Sequence, residues 1–530
     1  MGWFFCANRA TFFLGLRSIP EPILIMLPKA ENQWTWEEAA HLLNRAGFGG
    51  NPREIEQLHA MGRHKAVDHL LNPTEAIDFL PAPEWTAPEK RAEAARERFA
   101  AIRDSRTAMK GMSAEELDRK RREIFQKFQQ QERGQGLEAQ GWWLDRMLRT
   151  QAPLREKMTL FWHDHFATSM QKVKEPGLLY DQNVRFREHA LGNFKKLTHA
   201  MAKDPAMMLY LDLQTSKKGK PNENFAREVM ELFTLGQGNY SEEDIRQAAR
   251  AFTGYDINRF QGTVTHNKRS WDEGEKTFLG QKGNFDGDGI IDVIFQQPQA
   301  ASYLSMKLWE YFAFENPPQS AVEDLAKTFR DANFEVSAVL REIFLSKEFY
   351  SEDCMANQIK SPVQFFIQML KQLEVPTLPK GYALYVQSQL GQILFAPPNV
   401  AGWDWGKAWI NTNTLLTRYQ ISGFLCKASG GSGGDRNMGK VQGFGNGMQR
   451  MAEATWKGPD YDALVPRPAR DNVETMVDSL IRRLFQRKLS GNVRESFIAY
   501  ASEKKGVVFT NQEVAELLHL MMSTPHYQLT

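Results

Sequence analysis

Cysteine is nearly missing. The 530 residues contain three, Cys6, Cys354 and Cys426. They lie far apart and form no CxxC, so neither a disulfide framework nor a Cys-based zinc site is expected. Charge of one sign is equally scarce: Lys+Arg 66 against Asp+Glu 64 leaves a formal +2. A nucleic-acid partner usually imposes a strongly basic balance, so none is expected. No apolar run approaches the ~20 residues that span a bilayer, so no transmembrane segment is expected. The chain also lacks GxGxxG, a Walker loop, HExxH and GxSxG. Nucleotide, zinc-protease and serine-hydrolase readings therefore lose their usual support.

What is present is mostly helical signal. Hydrophobic residues make up 42%, enough for packed cores, and a chain this long exceeds one small core. Thr35 with Glu38, and Asn51 with Pro52 and Glu54, read as helix starts, because the side chain accepts an orphan amide and the acid three residues on reaches back. Trp36, Ala39, Ala40 and Leu43 recur between them at helical spacing. Residues 88–133 are densely charged, and Ser113 with Glu116 opens a second helix there. Interleaved acids favour a solvated, salt-bridged hairpin over a basic arm for nucleic acid or anionic lipid.

The expected fold is mainly α and multi-helical. It has two or more packed helical subdomains and a small irregular or β insertion near 256–300. The expected organisation is an N-terminal extension (1–33), N-terminal helices with the charged hairpin (34–140), a central helical core (141–375) and a C-terminal helical region (376–530) with a Gly-rich loop at 429–448. In the extension, the apolar stretch Ala10–Leu16 is short and ended by Arg17. It reads as a weak signal or as sequence ahead of a true start at Met26. A cytoplasmic protein is expected, exported if residues 1–25 act as a signal.

Four segments carry candidate chemistry. In FWHDHF, helical spacing puts His165 in line with Leu154, Met158, Phe161 and Trp162, and turns His163 the other way, with Glu156. The two histidines cannot share one ion on a straight helix. His165 is then a core histidine, or a ligand or general base in a polar pocket. In Pro221–Tyr255, one helix face carries Asn224, Arg227, Glu228 and Glu231. This is the solvated face of an amphipathic helix, or the polar lining of a site whose carboxylates bridge a metal between helices. In GNFDGDGIID, Asn284, Asp286, Asp288, Gly289 and Asp292 match positions one, three, five, six and nine of a calcium loop, the glycine permitting its sharp turn. Phe295 stands where the bidentate Glu belongs, so the alternative is an Asx/Gly turn. In APPNVAGWDWGKAWINT, Trp403, Trp405 and Trp409 cluster with Asn411, Asn413 and Arg418. Such aromatics bind sugars by stacking beside amides, or simply pack an irregular loop.

HLLNRAGFGG, FWHDHFATS, NENFAREVMELFTLGQGNYSEEDIRQAARAFTGY, KTFLG, SPVQFF and APPNVAGWDWGKAWINT stand in one order. Over roughly residues 36–530 the chain resembles the bacterial domain-of-unknown-function 1800 family. The resemblance implies a largely helical protein and carries no established activity. It also implies a partner, since many such chains are encoded beside a domain-of-unknown-function 1501 protein, a sulfatase- or phosphatase-like relative. One departure is that relatives often have His-Asp before the KTFLG-like motif, where this chain has Trp271-Asp272, with His266 nearby. Two functional expectations follow. The first is a partner or assembly protein acting with that hydrolase-like neighbour and holding calcium structurally. The second is an enzyme dependent on calcium or another divalent metal. In it, His165 or Glu228 is the acid/base or ligand, Arg227 binds an anionic group, and Asn224 and Glu231 complete the pocket.

Overall fold

The computed structural model describes residues 27–108, 113–258, 261–377, 381–427, 456, 458–504, 506 and 509–530. The signal-like stretch, Met26 and the Gly-rich segment 429–448 lie outside the described residues. Three short helices open the chain: α1 (Trp36–Ala46), α2 (Pro52–Met61) and α3 (Arg63–Leu71). The hairpin follows as α4 (Pro88–Ala108) and α5 (Ala114–Arg149). Then come α6 (Pro153–His165), α7 (Met170–Val173), α8 (Pro176–Glu188), α9 (Phe194–Ala202), α10 (Pro205–Tyr210), α11 (Glu223–Glu231) and α12 (Glu242–Ala251). Two antiparallel pairs interrupt the helices. β1 (Tyr255–Asn258) pairs with β2 (Thr263–His266), and β3 (Lys276–Phe278) with β4 (Gln281–Gly283). Helices resume with α13 (Gly287–Ile294), α14 (Pro298–Phe312), α15 (Gln319–Asp331) and α16 (Val336–Leu345). The C-terminal part holds α17 (Pro362–Gln372), α18 (Tyr382–Leu390), α19 (Thr412–Cys426), α20 (Tyr461–Leu464), α21 (Val473–Leu484), α22 (Gly491–Lys504) and α23 (Asn511–Met522). The architecture is mainly α, with its only described strands in the expected insertion. Among the described residues no helix is long and apolar enough to cross a membrane.

Local chemistry explains where these helices begin. Thr35 Oγ1 accepts from the Glu38 amide at 3.2 Å while the Glu38 carboxylate takes the Thr35 amide at 2.9 Å. The same reciprocal box opens α2 at Asn51–Glu54 and α5 at Ser113–Glu116. Proline occupies the first turn of α2, α6, α8, α10, α14 and α17, where its missing N–H would have had no helical partner. The hairpin is salt-bridged, as its interleaved charges suggest: Arg98 meets Glu132 at 2.8 Å, and Arg91 meets Asp181 on α8 at 2.5 Å.

Two hydrophobic cores form. The first gathers α1–α3, most of α6, and α9–α16. The second gathers the C-terminal end of α5, parts of α8 and α10, and α17–α23. Helix α6 is their shared wall. Leu154, Met158, Phe161 and Trp162 enter the first core and Leu160 the second. Along α6 only Arg155 and Asp164 escape full burial. Its Glu156 is a buried anchor, bonded by Arg187 on α8 at 2.6 and 3.0 Å, by Arg146 on α5 at 3.1 and 3.2 Å, and by the Trp143 indole at 3.1 Å. The flanking guanidiniums outweigh burial and hold its carboxyl below the usual range.

Candidate functional site

Lys157, Leu160 and Asp164 fall at i, i+3 and i+7 on α6 and so share one stripe of the helix. That stripe forms one side of a cavity of about 500 Å³, a size typical of small-ligand clefts. The segment carrying Trp403, Trp405 and Trp409 closes the opposite side, with Tyr311 from the end of α14 and Gln364 from α17. The cavity thus draws on FWHDHF, SPVQFF and GWDWG, three motifs far apart in the chain.

Asp164 is held by the tryptophan loop itself. The Trp403 amide donates to its Oδ1 at 2.7 Å. The Trp405 side chain also favours the charged form of this carboxyl. Gly402 has φ +90°, and a Cβ there would lie 2.7 Å from the Asp164 carbonyl oxygen and closer still to Oδ1. Only glycine permits this conformation and approach. Desolvation pushes the Asp164 carboxyl up to about 6, against the opposing pull of the Trp403 amide, Lys307 and Trp405. Trp403 is buried, while Trp405 is 39% exposed and packs edge-on to Tyr311 with centroids 5.0 Å apart.

Lys157 marks the other end. Seven residues of helix separate it from Asp164, about 10 Å along the axis, too far for an ion pair. Its Nζ donates to Gln364 Oε1 at 2.6 Å and lies 5.4 Å from the Tyr311 ring centre. Gln364 in turn donates to the Asn44 carbonyl at 3.2 Å. Burial, and then the nearby Arg45, pull the Lys157 amine down to about 7. Glu310 also lines the cavity, and burial pushes its carboxyl up.

The residues singled out from sequence fall elsewhere, the tryptophans excepted. His165 lies in the first core. Its Nε2 donates to the Phe233 carbonyl at 2.9 Å, its Nδ1 has no hydrogen-bond partner, and Phe161, Phe166 and Phe194 surround the ring. Burial drives it well below the usual histidine range. His163 faces the second core and accepts from the Phe395 amide at 3.0 Å. The α11 stripe turns outward. Arg227 pairs with Glu242 through two 3.0 Å bonds, and Glu231 accepts from Gln237 and Tyr240 at 2.7 Å each. Asn224 is exposed, and Glu228 is half-buried with its carboxyl pushed up by burial and then by Glu231. Among the described residues no hydrogen bond or ion pair joins His165 to this stripe.

The acidic segment is a helix start rather than a wrapped loop. Asp286 caps α13 by accepting from the Gly289 amide at 3.0 Å, and Asn284 is exposed. Asp288 and Asp292 flank His199 at 3.0 and 3.2 Å and pair with Lys203 and Lys195 at 2.6 and 2.7 Å. Among the described residues no group of three or more His, Cys, Asp or Glu side chains is placed to hold a metal ion. Asp272 pairs with Arg250 at 2.8 Å, and His266 stacks on Tyr255.

A protein-family model described as "Protein of unknown function (DUF1800)" matches residues 41–529. The chain belongs to this family. No curated protein and no solved structure matched the chain. The matched span contains every lining residue of the α6 cavity except the C-terminal Thr530.

Asp164, Lys157, Tyr311 and Gln364 were not singled out from sequence. The sequence of α6 offered no signal for the first two, since titratable residues make up about half of the helix and Lys157 and Asp164 do not stand out among them.

Proposed function

We propose that the α6 cavity binds a saccharide and that Asp164 is the proton donor to it. Support comes from one arrangement: a carboxyl held near pH 6 inside a cavity walled by tryptophans and amides. Tryptophan faces suit the apolar faces of sugar rings, and Gln364, Asn357, Gln358 and Gln392 supply the hydrogen-bonding chemistry that hydroxyls need. A carboxyl whose protonation changes near working pH is suited to general acid catalysis. Glu310, Glu315 and Asp353 are further carboxyls of the lining, so the reading extends to acid–base cleavage at a glycosidic oxygen, which commonly uses two such groups. Calorimetric titration of the purified protein with a panel of oligosaccharides tests it. At least one should bind, Trp405→Ala should weaken that binding about tenfold or more, and Asp164→Asn should bind but not turn over. Unchanged binding by Trp405→Ala would sink the reading.

A second reading makes the chain an assembly partner of a domain-of-unknown-function 1501 protein. In its favour, Leu415, Leu416 and Tyr419 on α19 and Leu520 on the adjoining α23 are 36–51% exposed. Grouped apolar exposure of this kind suits a protein partner. Co-purification of the two proteins, lost with Leu416→Glu, would support it. A complex indifferent to that substitution would remove this support.

A further inference from the structure

Two buried cations beside the cavity lack counter-ions. Lys157 is 9% exposed, and its ammonium has only the neutral Gln364 amide as hydrogen-bond partner. Arg45, 2% exposed, donates Nη2 to the Cys354 carbonyl at 2.6 Å, while its Nε and Nη1 are buried with no partner. Among the described residues neither side chain is ion-paired, whereas buried Arg63, Arg146 and Arg187 all meet a carboxylate; buried Arg418 and Lys360 do not, but Arg418 bonds a glutamine and a carbonyl, Lys360 sits on the Tyr527 ring, and neither lines this cavity. A buried charge is ordinarily paired or neutralised. Here the two cations repel each other, and Lys157 lines a cavity open to ligand whose carboxyls, Asp164, Glu310, Glu315 and Asp353, form no ion pair with it. The acidic side chain on the same helix face, Asp164, is about 10 Å away along the axis.

We infer that the Lys157 end of the cavity receives an anionic substituent of the ligand, a carboxylate or sulfate, so that the preferred saccharide is an acidic one. This rests on the saccharide reading of the same cavity. The ligand then lies along α6 with its anionic group at Lys157, its ring over Trp405 and its reacting oxygen at Asp164. Gln364 orients the ammonium toward the anion, and Arg45 adds positive potential from behind the wall without touching the ligand. A strongly hydrated ammonium on a flexible stem suits a single charged group of either kind.

The test compares a uronic-acid trisaccharide, a sulfated trisaccharide and their neutral counterpart by calorimetric titration of the full-length protein. The expected result is at least tenfold tighter binding of one acidic ligand, showing which anion is taken, and a ratio reduced to about one in Lys157→Gln. A second measurement needs no variant: acetic anhydride labelling of Lys157, read by peptide mass spectrometry, should be slowed by the acidic ligand and not by the neutral one. Equal affinities for acidic and neutral ligands, or equal protection of Lys157, would overturn the inference and leave the saccharide reading standing. If no saccharide binds while acetate or sulfate ions still protect Lys157, the saccharide reading fails and the anion site remains.

Discussion

Replacing Asp164 by asparagine should change stability in a strongly pH-dependent way. The Asp164 carboxyl sits near 6 in the folded protein against an ordinary 3.8. A folded-state pKa above the unfolded one means that the fold holds the proton more tightly. Below pH 3.8 both states are protonated and the charge costs nothing. Between 3.8 and about 6 the unfolded chain ionises while the folded protein keeps its proton, so stability is lost as pH rises across that window and levels off above it. A displacement of this size corresponds to roughly 2–3 kcal/mol. Asparagine is isosteric, and its Oδ1 can still accept from the Trp403 amide. Its effect on the Trp405 contact is the same at every pH. Asp204, also pushed up to about 6, contributes equally to both proteins and cancels. Urea midpoints for wild type and Asp164→Asn at intervals from pH 4 to pH 8 measure the difference directly. Between pH 4 and pH 7 that difference should move by roughly 2–3 kcal/mol in favour of asparagine. A difference constant across the range would show that Asp164 is not held protonated by its surroundings, and would remove the basis for assigning it acid chemistry.

Other substitutions separate the site from its frame. Glu156→Ala strands Arg146 and Arg187 in the interior and should cost about 3–5 kcal/mol, read by urea denaturation. His165→Phe should leave ligand binding intact and lower stability by roughly 1–3 kcal/mol, because the Phe233 carbonyl loses its donor; abolished binding with normal folding would instead return His165 to the chemistry. Gly402→Ala forces a Cβ onto Asp164 at positive φ, so it should reduce binding far more than Trp405→Ala while lowering the melting temperature. Trp405→Ala, at a partly exposed position, should change stability by less than about 1 kcal/mol.

The helical character was legible because its signals are local. Capping boxes at Thr35, Asn51 and Ser113 involve residues three apart, and no distant segment can overrule them. The site was less legible because its partners are distant. FWHDHF drew attention to its histidines, the rarer side chains, yet each bonds a backbone group from elsewhere, Phe233 O and Phe395 N. Helical geometry set the two histidines on different faces but could not say that Asp164 between them met a cavity. The acidic run around Asp286 shows a different difficulty. Alternate acids and a glycine suit a calcium loop and a helix N-terminus equally, and the arbiters are Ile290, Ile291 and Ile294, which bury fully only if the segment is helical. The tryptophan segment was open between sugar binding and loop packing. Both Trp403 and Trp405 line the cavity, Trp403 buried in the packing and Trp405 partly exposed.

The bond between the Trp403 amide and Asp164 spans 239 positions of the chain. A ribosome that has just released α6 has therefore made one wall of the cavity, with its carboxyl exposed to water and acidic in the ordinary way. The opposite wall is translated roughly ten to fifty seconds later at typical synthesis rates. Until Gly402 and Trp403 close on it, Asp164 has neither its clasp nor its raised proton affinity. Any fragment that ends before the tryptophan loop keeps the helix and loses the clasp on Asp164.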